Sequence, residues 1–276
     1  MTKLLITVAP CIPPYMATGI VGLDLSPEGI AAEVVRAHAA GASVAHLHVW
    51  DERGQPTQDL AAFRRTLALI RARCDIVIEG STGGVNTLTP AERCVSLQAD
   101  IELASLNPGS VNYDKGVYVN SPDDVAYWAH EMHRRGIKAD AAIFEAGMIA
   151  NTVALAERGW IAPPMLFSFV LGQPGALPAT TKNLLFLSES VPAGSVWGAA
   201  GHGGADLPMS ALAMLMGGHA RAGFEDNPYY RPGELATSNA QLIERLARLA
   251  RELGREIASP AEARKMLGLR AREAGR

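Results

Sequence analysis

Cysteine is scarce in this chain: Cys11, Cys74 and Cys94 are all that 276 residues contain. An odd count at wide spacing gives neither a disulfide framework nor a CxxC metal site, and it points to a reduced cytoplasmic compartment. Long apolar runs are missing as well, none reaching the roughly 18 residues of a membrane span. The apolar start MTKLLITVAPCIPPY has prolines close behind and no small-residue cleavage pattern, so it reads as a first strand and not as a secretory signal. Nor is there an excess of one charge. Twenty-five Lys and Arg against 28 Asp and Glu leave a net charge of -3, which gives no reason to expect nucleic acid or an anionic membrane as partner. The chain shows no linker or low-complexity tract and no GxGxxG after its first strand.

What is present is a regular alternation. Hydrophobic residues at 48% with 19% charged describe a globular protein with a sizeable core. Strand-like runs occur at LLITVAP (4–10), SVAHLHV (43–49), DIVIEG (75–80), DIELASLN (100–107), IKADAAIF (137–144), MLFSFVLG (165–172), SVWGAAG (195–201) and GGHARAGFED (217–226). An amphipathic segment follows each of the first seven, and two further helical stretches, 234–253 and 260–268, follow the eighth. Ser26, Thr89 and Ser121 each precede a proline and acidic residues, the pattern of a helix start, while Gly41 and Gly136 close helices. Eight strand-then-helix units predict an α/β chain: one (β/α)8 TIM barrel with additional C-terminal helices, residues 1–276 forming a single catalytic domain. A doubly wound open sheet is the runner-up, disfavoured by the regular repeats and the missing glycine fingerprint.

A barrel gathers the C-terminal ends of its strands at one face, where active sites lie. Polar residues collect there. The second strand ends in His46 and His48, whose spacing of two puts both imidazoles on one face. The third ends in Ser81-Thr82-Gly83-Gly84, the fourth in Ser105-Leu106-Asn107, the seventh in Gly201-His202-Gly203-Gly204, and the eighth in Arg221 and then Glu225-Asp226. An isolated HxH in an apolar strand is more often structural. Two imidazoles inside a narrow barrel with a carboxylate at hand instead suit a metal, with Glu225 as third ligand and one position left open, the catalytic zinc pattern. Asp226 is either a cap or a base held by Arg221. STGG and SLNPG combine hydroxyl or amide groups with backbone N–H donors, and each taken singly is also an ordinary turn. His202 is either an extra ligand or a loop residue. His38, His130 and His133 are expected in solvent, and His219 has no assigned role.

HLHVWDERGQPTQD, STGG, SLNPGSVNY, FEAGM, FVLGQPG, GGHARAGFEDN and SNAQLIERLARLARELGR, in this order, resemble the β-keto acid cleavage enzyme family, whose founding activity is 3-keto-5-aminohexanoate cleavage. The resemblance runs from the first strand to about residue 268. It implies a zinc-dependent TIM barrel, usually homotetrameric, that condenses a β-keto acid with acetyl-CoA to give acetoacetate and a new acyl-CoA. On these motifs His46, His48 and Glu225 match the zinc ligands. Asp226, supported by Arg221, matches the base, and Ser81, Ser105 and Asn107 match substrate contacts, with Thr82 and Gly83 in the same substrate-binding turn. No redox cofactor is implied.

Relatives that take an aminated substrate place carboxylates near the ends of strands one and five. Here strand one ends in PCIPPYM without an acid, and the inward position on strand five is Ala142, with Asp140 and Glu145 expected at other phases. The expected substrate is therefore a neutral or apolar β-keto acid. Many relatives also carry arginine where this chain has Gly204, which leaves the CoA phosphate contacts open. The competing readings are a metal-dependent hydrolase, which would place HxH on strand one; a metal-dependent aldolase or lyase that uses no acetyl-CoA; and a binding module without catalysis, which the Arg221/Asp226 pair argues against.

Overall fold

The computed structural model describes residues 2–13, 23–48, 50–51, 57–84, 86–113 and 115–270. Eight parallel strands close into a barrel: β1 (Ile6–Val8), β2 (Val44–Leu47), β3 (Val77–Gly80), β4 (Leu103–Leu106), β5 (Lys138–Ile143), β6 (Leu166–Leu171), β7 (Val196–Gly201) and β8 (His219–Ala222). Strand neighbours in space are neighbours in sequence, and β8 returns to β1 through Thr7 opposite Arg221. The eight runs read from the sequence are these eight strands. Val49, residues 52–56 and residues 14–16, which belong to the HLHVWDERGQPTQD and PCIPPYM motifs, lie outside the described residues.

Around the barrel run α1 (Pro27–Ala39), α2 (Leu60–Arg71), the single turn α3 (Pro90–Arg93) with a 3₁₀ turn at Val95–Gln98, α4 (Pro122–Arg135), α5 (Gly147–Glu157), α6 (Thr181–Ser190), α7 (Asp206–Leu215), α8 (Asn239–Glu252) and α9 (Pro260–Leu267). The starts follow the cap chemistry in the sequence. Ser26, Thr89 and Ser121 each accept a backbone N–H in the first turn, and Thr89 and Glu92 form a reciprocal capping box. Gly136 ends α4 in the left-handed conformation, whereas α1 is capped by Ala40 with Gly41 just beyond it.

Two hairpins escape a reading based on strand-helix alternation: Val111–Tyr113 with Gly116–Tyr118, and Tyr229–Arg231 with Glu234–Leu235. The second corrects the helix expected from residue 234, since α8 begins only at Asn239. Pro232-Gly233, with Gly233 at positive φ, is a turn signal that outweighs the helical period beyond it.

The barrel interior divides by polarity. At the N-terminal end Leu5, Val44, Val77, Leu103 and Leu166 pack against Ala263 and Leu267, so that α9 plugs the floor. Burying each large side chain there contributes roughly 1.5–3 kcal/mol. Toward the C-terminal end the inward positions turn polar, and that is where the strands deliver their chemistry.

Candidate active site

β2 and β3 pair with His46 beside Glu79, and both side chains point inward. His46 is 4% exposed. His48, two residues on, leaves the strand on the same face, and the Nε2 atoms of the two rings are 3.3 Å apart. Glu225 arrives from the turn after β8, its Oε1 3.5 Å from His46 Nε2 and 3.4 Å from His48 Nε2. That turn depends on Gly223. Its φ is 157°, and a Cβ there would sit 2.1 Å from the Ala9 carbonyl oxygen, so a side chain would push the turn off β1. Phe224, buried, anchors the turn while its N–H donates to Asn239 Oδ1 at the start of α8. Asp226 and Asn227 both donate backbone N–H groups to Gly223 O, which completes the turn.

Arg221 lies beneath this turn. Its Nε and Nη2 donate to the two oxygens of Asp226, both at 2.9 Å, and Nη2 also donates to Glu225 Oε1 at 2.7 Å. A bidentate fork of this kind fixes the plane of the Asp226 carboxylate. Burial alone would raise the Glu225 carboxyl, but Arg221, His46 and His48 together hold it well below the usual carboxylate range. Burial works against a charged His46, and the carboxylates of Glu79 and Glu225 outweigh it, raising the ring above its ordinary value.

Ser81, Gly83, Ser105 and Asn107 all line the cleft above His46 and His48. Ser81 Oγ accepts from Gly83 N–H at 2.9 Å. Thr82 does not join them. Its side chain is fully buried, its hydroxyl donates to Ser105 O at 2.6 Å, and it ties β3 to β4 from behind. His202 lines the wall near Asp226, where burial lowers its pKa, but it is not part of the His46, His48 and Glu225 cluster. Gly204 is exposed with open space around it. His130 and His133 are exposed as expected, whereas His38 is half-buried with Nδ1 3.1 Å from Ala42 O.

The cleft measures about 1060 Å³ and extends past His48 to Trp50, Tyr118 and Gln173. Three of its features went unread in the sequence. Glu79 stands two residues before Ser81 and shares its face, so strand parity alone could have found it. Asp140 corrects an expectation by the same rule. It is two residues from Ala142, lines the cleft with it, and accepts from Ser168 Oγ at 2.8 Å. Burial and the charge of Glu79 push its carboxyl up to about 7. Glu145, by contrast, is not in the cleft wall. The third is the Gly116–Tyr118 strand, held from below by Arg93, which donates to Tyr118 Oη, Val119 O and Asn120 Oδ1.

Among the described residues, the cleft wall carries four carboxylates (Glu79, Asp140, Glu225 and Asp226) against one guanidinium, Arg221. Glu225 Oε2 is buried without a partner. An acidic excess around two converging imidazoles and a half-satisfied carboxylate is the donor set of a divalent cation, and the residues fit one.

The description "beta-keto acid cleavage enzyme" matches residues 3–269. The chain is similar, at 42% identity over 272 residues (98% of this chain and 99% of the relative), to a 3-keto-5-aminohexanoate cleavage enzyme of Fusobacterium nucleatum. It is 36% identical over 237 residues to a 3-oxoadipate:acetyl-CoA acetyltransferase of Cupriavidus necator, covering 84% of this chain and 83% of that one. Among solved structures, the ternary complex of ObcA with a C4-CoA adduct and oxalate superposes with a TM-score of 0.77 at 20% identity, over 90% of this chain and 67% of that chain, which shows the shared barrel. The chain belongs to the beta-keto acid cleavage enzyme family.

Proposed function

We propose that this protein condenses a non-aminated β-keto acid with acetyl-CoA, releasing acetoacetate and a new acyl-CoA, at a zinc centre held by His46, His48 and Glu225. One observation carries the reading: three ligand atoms converge beside an Arg221-forked carboxylate at the C-terminal mouth of the barrel. Their separations of 3.3, 3.4 and 3.5 Å suit the edges of a tetrahedron with ligand bonds of about 2.0–2.1 Å, and the open fourth corner is what catalytic zinc keeps for substrate. When bound, such an ion supplies Lewis acidity toward the keto and carboxylate oxygens of the substrate.

The chain's own residues supply the rest. Asp226, its plane fixed by Arg221, removes a proton from C2 of the keto acid. The C2 carbon then attacks the acetyl carbonyl and CoA leaves as the thiolate. Ser81, Ser105 and Asn107, which line the cleft, donate to the oxygens that gain charge as the tetrahedral adducts form. The thiolate adds to the original keto carbon, the C2–C3 bond breaks, and C2 takes back a proton to give acetoacetate. A cleft of about 1060 Å³ has room for a short keto acid and the thioester end of CoA together.

The tail preference rests on Ala142, Phe144 and Val170, which give the wall beside Asp140 an apolar surface. The relatives named above act on amino-bearing and dicarboxylic keto acids according to their names, so position 142 is where this chain's choice is read. The homotetrameric assembly and cytoplasmic setting implied by the resemblance belong to the same proposal. No helix among the described residues is long and apolar enough to cross a membrane.

The test is acetoacetate release from zinc-loaded protein across neutral, anionic and cationic β-keto acids, with and without acetyl-CoA. The expected result is release that requires acetyl-CoA and is fastest with a neutral tail. Release without acetyl-CoA would replace this reading with that of a simple lyase or hydrolase.

A further inference from the structure

The deepest ionisable pair in the barrel is not explained by substrate chemistry. Glu79 is 3% exposed at the centre of β3, and its Oε1 lies 3.0 Å from His46 Nδ1, the ring nitrogen facing away from the ligand cluster. The parallel register places the two residues side by side, so backbone pairing fixes the contact and not a mobile loop. Among the described residues Glu79 is the ion-pairing partner of Nδ1, which otherwise lacks a hydrogen-bond partner. A buried carboxylate beside an imidazole costs several kcal/mol to desolvate unless it works against a positive charge. Arg221 does not offer that charge by contact, since its guanidinium is occupied by Glu225 and Asp226.

We infer that Glu79 is a positioning residue for the metal: its carboxylate keeps the proton of His46 on Nδ1, so that the Nε2 lone pair faces His48 Nε2 and Glu225 Oε1. The choice of tautomer matters because only a nitrogen without a proton can ligate, and the partner of the other nitrogen decides which one that is. A carboxylate against the ring also makes the imidazole a stronger donor. The inference rests on the reading of His46, His48 and Glu225 as a metal site, and it goes beyond it by making a non-ligand on a neighbouring strand responsible for affinity.

Glu79→Gln keeps the shape and an acceptor oxygen but removes the charge; Glu79→Ala removes both. The measurement is the zinc dissociation constant of each purified protein by chelator competition, with thermal unfolding of the metal-free forms run beside it. Affinity should weaken on the order of 10–100-fold in Glu79→Ala and by a smaller factor in Glu79→Gln, without a matching loss of metal-free stability. Unchanged affinity in both variants would overturn the inference while leaving the metal site intact. Wild-type protein that binds no zinc at all would instead overturn the reading beneath it, so the two failures are distinguishable. Unchanged affinity with a lowered Tm would assign Glu79 to packing alone.

Discussion

At the scale of single residues, the proposed site separates metal binding from proton transfer. Asp226 does not belong to the ligand cluster, yet it shares Arg221 with Glu225, so one guanidinium orients both groups. Asp226→Asn keeps the shape and should lower turnover by about 10²–10⁴-fold, the usual range for a lost general base, with zinc content unchanged by atomic absorption. A variant that lost its metal would place Asp226 among the ligands instead. Ala142 sets the second residue-scale outcome. Ala142→Glu adds a carboxylate to the proposed tail wall next to Asp140, and kcat/KM should shift from neutral toward cationic β-keto acids by roughly 5–150-fold in ratio, as one charge pair partly removed from water contributes about 1–3 kcal/mol. An unchanged ratio would show that the tail lies elsewhere.

At the scale of elements, the cleft owes part of its wall to the Val111–Tyr118 hairpin, which packs over Arg93 at the end of α3. Arg93, 3% exposed, holds that hairpin through three hydrogen bonds and stacks on Trp128 at 4.3 Å. Arg93→Ala leaves Val119 O and Asn120 Oδ1 without these donors, which costs about 1–3 kcal/mol for each buried acceptor left unpaired, and it frees Tyr118 to move. The expected kinetic result is a KM raised more than kcat is lowered, because Tyr118 lines the cleft but belongs neither to the His46, His48 and Glu225 cluster nor to the Arg221 and Asp226 pair. A kcat effect alone would tie the hairpin to the chemical step.

The same scale shows what the sequence could and could not tell. All eight barrel strands were legible because apolar runs and N-cap signals repeat, and HxH with GFED marked the mouth. The hairpins at Val111–Tyr118 and Tyr229–Leu235 were not, since three-residue and two-residue strands lack a period long enough to register. Glu79 and Asp140 were hidden for a different reason. A charged residue in an apolar run shows its face only when its parity with Ser81 or Ala142 is counted, and that count puts Asp140 in phase with Ala142. Thr82 shows the limit of a motif: adjacent to Ser81 in sequence, it faces the opposite side of the strand end.

At the scale of the whole molecule, the barrel's floor carries a titratable group apart from the chemistry. His219 Nδ1 accepts from Leu5 N–H at 3.1 Å and faces Arg255 Nη2 at 3.4 Å, and both partners can only donate. The ring must therefore stay neutral, and burial together with Arg255 lowers its pKa to about 3. An unfolded histidine titrates near 6.5, so the unfolded chain binds the extra proton first. The stability this group contributes is complete above pH ~6.5 and is lost as pH falls toward 3, by up to roughly 4 kcal/mol. Urea unfolding of wild type should weaken across that window, and His219→Gln should show a shallower decline. Parallel pH curves for the two proteins would mean that the acid sensitivity arises elsewhere.

The claim that joins these scales is the fate of the acetyl group, which isotopic labelling follows directly. Zinc-loaded protein is given an unlabelled neutral β-keto acid and acetyl-CoA carrying ¹³C in both acetyl carbons, and the products are read by NMR. The account predicts acetoacetate labelled at C3 and C4 only, with an unlabelled tail in the new acyl-CoA. Unlabelled acetoacetate, or label in the new acyl-CoA, would contradict it.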